Sequence, residues 1–156
     1  MSGQTEAKLQ ELGFKLPEAP KPAGSYGPVT RFGNLVVTSG QVSFVDGKLL
    51  YPGKVGDEVS EEEGYESAKI CAVNALAQLK ACVGDLDKIK RVVRVEGYVH
   101  SAPGFQGQAK VMNGVSDLIN QLYSDREKHT RIAVGIHDMP LNAAVQISVW
   151  AEVIEP

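Results

Sequence analysis

The chain has 156 residues, 43% of them hydrophobic and 22% charged, with a formal net charge of −3. This composition supplies a single domain (1–156) with a sizeable core and excludes a disordered chain, while the acidic balance argues against a surface that tracks nucleic-acid phosphates. No run of about 18 apolar residues is present to cross a membrane, and Met1-Ser2-Gly3-Gln4 lacks the basic-then-apolar start of a secretion signal, so the expected location is the cytoplasm.

Residues 5–12 predict a short helix, with Thr5 as N-cap and Gly13 after the last turn. Pro17, Pro20, Pro22 and Pro28 then mark an ordered loop or extended arm, because proline cannot donate to a sheet ladder. Val29–Phe32 and Leu35–Gly40 flank Gly33-Asn34, a two-residue hairpin turn that tolerates positive φ. A second turn, Asp46-Gly47, leads into Lys48–Tyr51. Ser60 followed by Glu61-Glu62-Glu63 is a capping box, and the helix it opens carries an apolar stripe (Ala68, Cys71, Ala72, Ala75, Leu76, Leu79, Cys82) that stops at Gly84.

The β-branched run 91–99 predicts a strand. Val111, Val115, Leu118, Ile119 and Leu122 recur at helical spacing, and strands at 131–136 and 145–153 close the chain. The expected fold is therefore α+β: one mixed sheet with two long helices on one face. The other face is a problem, since Trp150 shares a side of the last strand with Gln146, Ser148 and Glu152, which predicts that a second subunit or a ligand packs there.

Few residue groups carry a chemical signature. Cys71 and Cys82 fall on one helix about 16 Å apart, beyond disulfide reach, and fit reduced thiols in a reducing compartment. His100, His129 and His137 are spaced by 29 and 8 residues, which matches no metal-ligand motif; no phosphate-cradling glycine loop occurs, so no metal or cofactor is expected. Lys88, Lys90, Arg91 and Arg94 cluster, as the solvated end of a helix and a strand commonly does. Arg131 stands apart, in the strand-like run Thr130–Ile136 among apolar residues and glycine. A guanidinium keeps its proton and favours a planar, bidentate anion. That anion is either a distant side chain, such as Glu96 or Asp117, or a ligand carboxylate or phosphate.

Gly24-Ser25-Tyr26-Gly27-Pro28, Thr38-Ser39-Gly40-Gln41, Asn113, Thr130-Arg131, Met139-Pro140-Leu141-Asn142 and the alternating final strand occur in one register over residues 20–154. In this the chain resembles the Rid/YjgF family of reactive enamine/imine deaminases, and most closely its longer branch, often labelled endoribonuclease L-PSP/chorismate mutase-like. The resemblance implies a chorismate-mutase-like homotrimer with three clefts between subunits, in which small 2-imino or 2-amino-enoic acids are hydrolysed to 2-keto acids and ammonia.

By the same resemblance, Arg131 clamps the substrate carboxylate, Tyr26 lines the cleft, Ser39, Gly40 and Gln41 shape its floor, and Asn113 is a polar cleft residue. The backbone carbonyl of Ala133 replaces that of a cysteine found in many members. Gln146 stands where active members tend to carry a glutamate that holds the attacking water, and an amide is a far poorer proton acceptor. A carboxylate-binding protein without turnover is the alternative, and an endoribonuclease a third reading against which the acidic charge counts.

Overall fold

The computed structural model describes residues 3–154; Met1, Ser2, Glu155 and Pro156 lie outside the described residues, and with them the first two positions of the stretch that lacks a secretion signal. Helix α1 spans Gln4–Glu11. The strands are β1 (Val29–Phe32), β2 (Leu35–Thr38), β3 (Phe44–Val45), β4 (Lys48–Leu49), β5 (Ile89–His100), β6 (Thr130–Ile136) and β7 (Val145–Val153), and the longer helices are α2 (Glu61–Val83) and α3 (Gln108–Leu122). Five strands form one sheet in the order β1-β2-β7-β5-β6, and β3 and β4 form a separate small hairpin. Every pairing in the large sheet is antiparallel except β5 with β6, which the α3 crossover joins in parallel.

The sheet is mixed and both long helices cover one face, as the pattern predicts. Along β7 the residues Val145, Ile147, Val149, Ala151 and Val153 are buried against the helices, while Gln146, Ser148, Trp150 and Glu152 alternate with them, half-buried, on the uncovered face. At about 25 cal/mol per Å² of apolar surface removed from water, this alternation holds the sheet against the helices. Helices α2 and α3 meet closely at Gly114, where a Cβ would fall within 3.0 Å of Ala68 and closer still to the Tyr65 carbonyl oxygen.

Three expectations are revised. Thr5 is not the N-cap of α1: it lies inside the helix, buried, and the cap position is Gly3. The first amides are instead satisfied from across the chain, where the Asp87 carboxylate accepts from Gln4 N at 2.9 Å and Thr5 N at 2.8 Å. Strand β5 runs from Ile89 to His100 rather than 91–99. Strand β2 ends at Thr38, two residues early, because its partner register shifts there. The Ser60–Glu63 capping box is present with both reciprocal bonds, at 3.1 and 3.0 Å. Among the described residues no helix is long and apolar enough to cross a membrane.

Candidate functional site

Strands β2 and β7 pair as far as Val37 with Trp150 and resume as an isolated bridge at Gln41 with Ile147. Four residue steps on one side therefore oppose three on the other, which is a β-bulge at Thr38-Ser39-Gly40. Thr38 bridges the gap, its hydroxyl accepting from Val149 N at 3.1 Å. The bulge turns Ser39 and Gly40 out of the ladder. Ser39 Oγ donates to the Gly27 carbonyl at 2.6 Å and so ties the Gly-rich loop that carries Tyr26.

A cleft of about 280 Å³ is lined by the arm residues Pro20, Lys21 and Pro22, by Tyr26, by Ser39, Gly40 and Gln41, and by Leu141 and Gln146. It gathers five of the eight predicted site residues. Tyr26 is exposed, and its hydroxyl accepts from Ala23 N at 3.3 Å. Gln146 lies across Gly40: a Cβ at position 40 would sit 2.8 Å from the Gln146 side-chain carbonyl carbon, so glycine is needed there for close approach. Among the described residues the Gln146 amide has no hydrogen-bond partner, which leaves it available to cleft contents.

The remaining three residues lie elsewhere. Tyr98 on β5 is opposite both Gln146 and Val134, so Arg131 and Ala133, at odd offsets from Val134, point to the other, helix-covered face. There Arg131 Nη1 donates to Asn113 Oδ1 at 2.8 Å and Ser116 Oγ at 3.1 Å, and Nη2 donates to the Ala109 carbonyl at 3.3 Å. Neither acidic residue considered as a partner is engaged with it. Glu96 is on the opposite face, pairing with Arg94 at 3.4 Å, and Asp117 accepts from Tyr65 Oη at 2.7 Å. Among the described residues Arg131 has no ion pair, and of the five N–H groups of a guanidinium its Nε–H and one on Nη2 have no partner. The charge is held in place by neutral acceptors and left uncancelled.

Several positioning residues were not singled out from the sequence. Asn74 on α2, 2% exposed, donates from its amide to the Val42 and Phe44 carbonyls at 2.9 and 3.0 Å. Gln78, one turn later and 1% exposed, donates to the Pro20 carbonyl at 2.6 Å. Together they anchor the cleft floor and its proline-rich wall to the core. Two polar residues four apart inside an apolar helical stripe were the available signal.

Loop 101–107 is scaffold, tied down by Ala102 N to the Val55 carbonyl at 2.9 Å and Ser101 N to the Ile136 carbonyl at 3.1 Å. The turn Pro140–Asn142 that overhangs the cleft has left-handed backbone at Leu141 (φ 64°) and Asn142 (φ 57°). Cys71 is no nucleophile: burial pushes its thiol well up, and it donates to the Val145 carbonyl at 3.5 Å. Among the described residues no group of His, Cys, Asp and Glu is placed to hold a metal ion.

Comparison with known proteins agrees with this fold. Residues 6–153 match the family model described as "YjgF/chorismate_mutase-like, putative endoribonuclease". Protein TCP17 of Trypanosoma cruzi is 38% identical over 152 residues, covering 97% of this chain and 95% of its own. The crystal structure of Atu1372 from Agrobacterium tumefaciens, a protein of unknown function, is 43% identical with a TM-score of 0.90, over 96% of this chain and 92% of that one. A "putative endoribonuclease" from Shewanella oneidensis superposes with a TM-score of 0.93 at 33% identity, over 97% and 100% of the two chains. The YjgF gene product of Escherichia coli shares the fold, with a TM-score of 0.65 at 18% identity over 86% and 93%. In sequence and in fold, this chain belongs to the YjgF/chorismate mutase-like family.

Proposed function

We propose that the protein hydrolyses reactive enamines and imines of small 2-amino-enoic acids to 2-keto acids and ammonia, without a cofactor, in clefts between the subunits of a cytoplasmic homotrimer. The observation that carries this reading is Arg131: a fixed guanidinium with an uncancelled charge and two free N–H groups, on Nε and Nη2, is suited to a planar carboxylate. Arg131 and Gln146 occupy opposite faces of the sheet in one protomer. A site that uses both is completed when the Arg131 edge of one copy meets the cleft of the next. Trp150 on the uncovered face, together with Ile132 at 39% exposure and Val134 at 42%, supports burial of that face against other copies. The two free cysteines fit a reducing compartment.

In this reading an enamine first tautomerises to the imine, and Arg131 holds its carboxylate. Water oriented by the Gln146 side-chain carbonyl and the Ala133 backbone carbonyl attacks the imine carbon while a proton passes to nitrogen. The resulting carbinolamine expels ammonia and leaves the keto acid. Positioning supplies much of the acceleration for so reactive a bond. Tyr26 contributes a phenol donor at the cleft mouth, and Ser39, Gly40 and Gln41 hold the floor.

The test is an assay in which 2-aminoacrylate and related imino acids are generated in situ and keto-acid release is followed. Arg131→Ala is expected to lose about 100-fold or more of the acceleration, the worth of a charge-assisted bidentate pair. Absence of acceleration by the wild type with every imino acid would overturn the reading.

Gln146 favours a second reading, capture of a small carboxylate without turnover, because an amide removes no proton; pyruvate binding that needs Arg131, with no turnover, would establish it. RNA as substrate, which the name of the Shewanella relative suggests, is opposed by charge. Of the cluster Lys88, Lys90, Arg91 and Arg94, the last three pair with Glu152, Glu127 or Glu96.

A further inference from the structure

His129 immediately precedes β6, and its Nε2 lies 2.8 Å from Ser116 Oγ, the same oxygen that accepts from Arg131 Nη1 at 3.1 Å. A serine hydroxyl has one hydrogen and two acceptor lone pairs, and a guanidinium only donates. Ser116 Oγ therefore spends a lone pair on Arg131, and its own hydrogen needs an acceptor. The neutral His129 ring nitrogen is the one within reach. We propose that Ser116 and His129 are positioning residues for Arg131, the imidazole fixing the direction of the Ser116 hydroxyl so that its oxygen faces the guanidinium.

Three further observations support this relay. Ser116 is 8% exposed, so its hydroxyl has little access to competing water. His129 Nδ1 is buried without a partner among the described residues. With Nε2 accepting from the Ser116 hydroxyl, the ring hydrogen sits on Nδ1 as a buried, unsatisfied donor, a cost that is retained where the arrangement serves something else. Burial, then the Arg131 charge, then Lys128 hold the imidazole below its usual range, so it stays the neutral acceptor that the relay requires. The choice of chemistry is also economical in charge. A carboxylate at position 129 or 116 would fix Arg131 equally well but would neutralise the group that has to attract an anion. A chain of Asn113, Ser116 and His129 orients it and leaves the charge intact.

This inference rests on Arg131 being the anion clamp, so it is tested with one readout that involves no ligand and one that does. The first is hydrogen exchange and order of the Arg131 Nε–H group, followed by ¹⁵N NMR and assigned with Arg131→Lys; the second is the affinity for pyruvate. His129→Phe is expected to speed exchange and weaken pyruvate about tenfold, the loss of one well-placed bond to a charged group. His129→Gln, whose side-chain oxygen restores an acceptor near the Nε2 position, is expected to stay within about threefold of wild type. Ser116→Ala should match His129→Phe, and the double variant should be no worse than Ser116→Ala, because both act through one oxygen. Additive losses, or unchanged Arg131 exchange in both single variants, would overturn the relay. If His129→Phe does not fold, Ser116→Ala and His129→Gln still decide it. Pyruvate binding unaffected by Arg131→Ala would instead remove the clamp reading, and the exchange data would then judge the relay by itself.

Discussion

Gly40 and Gln146 are fitted to one another: the absence of a side chain at position 40 is what lets the Gln146 amide lie across the bulge, since a methyl there would stand 2.8 to 3.0 Å from three of its atoms. The contact joins the floor of the cleft to the residue that faces its contents. It also shows why Thr-Ser-Gly-Gln works as a unit, with Thr38 bridging the ladder, Ser39 tying the Tyr26 loop and Gln41 resuming the pairing with Ile147.

Gly40→Ala should therefore displace Gln146 with little effect on the core. The expected result is at least a tenfold loss of imine hydrolysis with a cost of about 1 kcal/mol in stability, near the ordinary effect of a single substitution. Kinetics and thermal unfolding of the same preparation check it; a normal rate would show that the Gln146 position does not matter to the reaction.

Gln146→Glu supplies the proton acceptor that the amide lacks. A positioned general base contributes about 10²–10⁴-fold where proton removal limits the rate, so turnover should rise, with a limb in its pH profile that follows ionisation of the new carboxylate. An unchanged rate would mean that water positioning, not proton removal, sets the pace.

Removing the buried Asn74 amide orphans two carbonyls at once, those of Val42 and Phe44. Asn74→Ala is expected to cost about 2 kcal/mol, which for a chain of this size lowers Tm by about 4–8 °C. Because the same bonds hold the cleft floor, affinity for pyruvate should fall too, and calorimetry alongside thermal melts separates the two effects.

His129 gives the protein a pH dependence of definite sign. Its folded-state pKa lies below the ordinary 6.5, chiefly through burial. Between 6.5 and that depressed value the unfolded chain binds more protons than the folded one, so stability is complete above 6.5 and declines as pH falls through the window. Denaturant unfolding from pH 7.5 to 5 should show this decline in the wild type and a flatter curve in His129→Gln. Equal slopes would place the titration elsewhere.

Asp87→Ala should loosen α1 selectively. The carboxylate receives both Gln4 N and Thr5 N and is held below the usual aspartate range, first by its bond with the Thr5 side chain. Loss of a cap costs about 1 kcal/mol, and hydrogen exchange should quicken in residues 4–9 while the α2 amides keep their protection.

Local features of the fold were legible in the sequence because their causes are local. The Ser60–Glu63 box, the α2 stripe ending at Gly84 and the alternation of β7 each depend on residues within a turn or a pleat of one another. Asp87 capping a helix that starts 83 residues earlier could not be read that way, and Thr5 offered a plausible local substitute. The division of the site had the same cause. Arg131 and Gln146 could be singled out as residues, but their placement on opposite faces depends on the register of β5 with both β6 and β7, which no short window contains. Asn113 was singled out, but as a cleft residue and not as a partner of Arg131, and Ser116 was missed because it lies on a helix whose apolar spacing drew attention to its other positions.

The turn above the cleft joins two properties that usually vary separately. Leu141 is a bulky residue in left-handed backbone, 60% exposed, and it lines the cleft. Such a conformation costs about 1–3 kcal/mol, and glycine at this position would relieve it while removing an apolar lip from the cleft. A hardier backbone and a tighter grip on the cleft's contents thus make opposite demands on position 141, and leucine meets the second at the expense of the first.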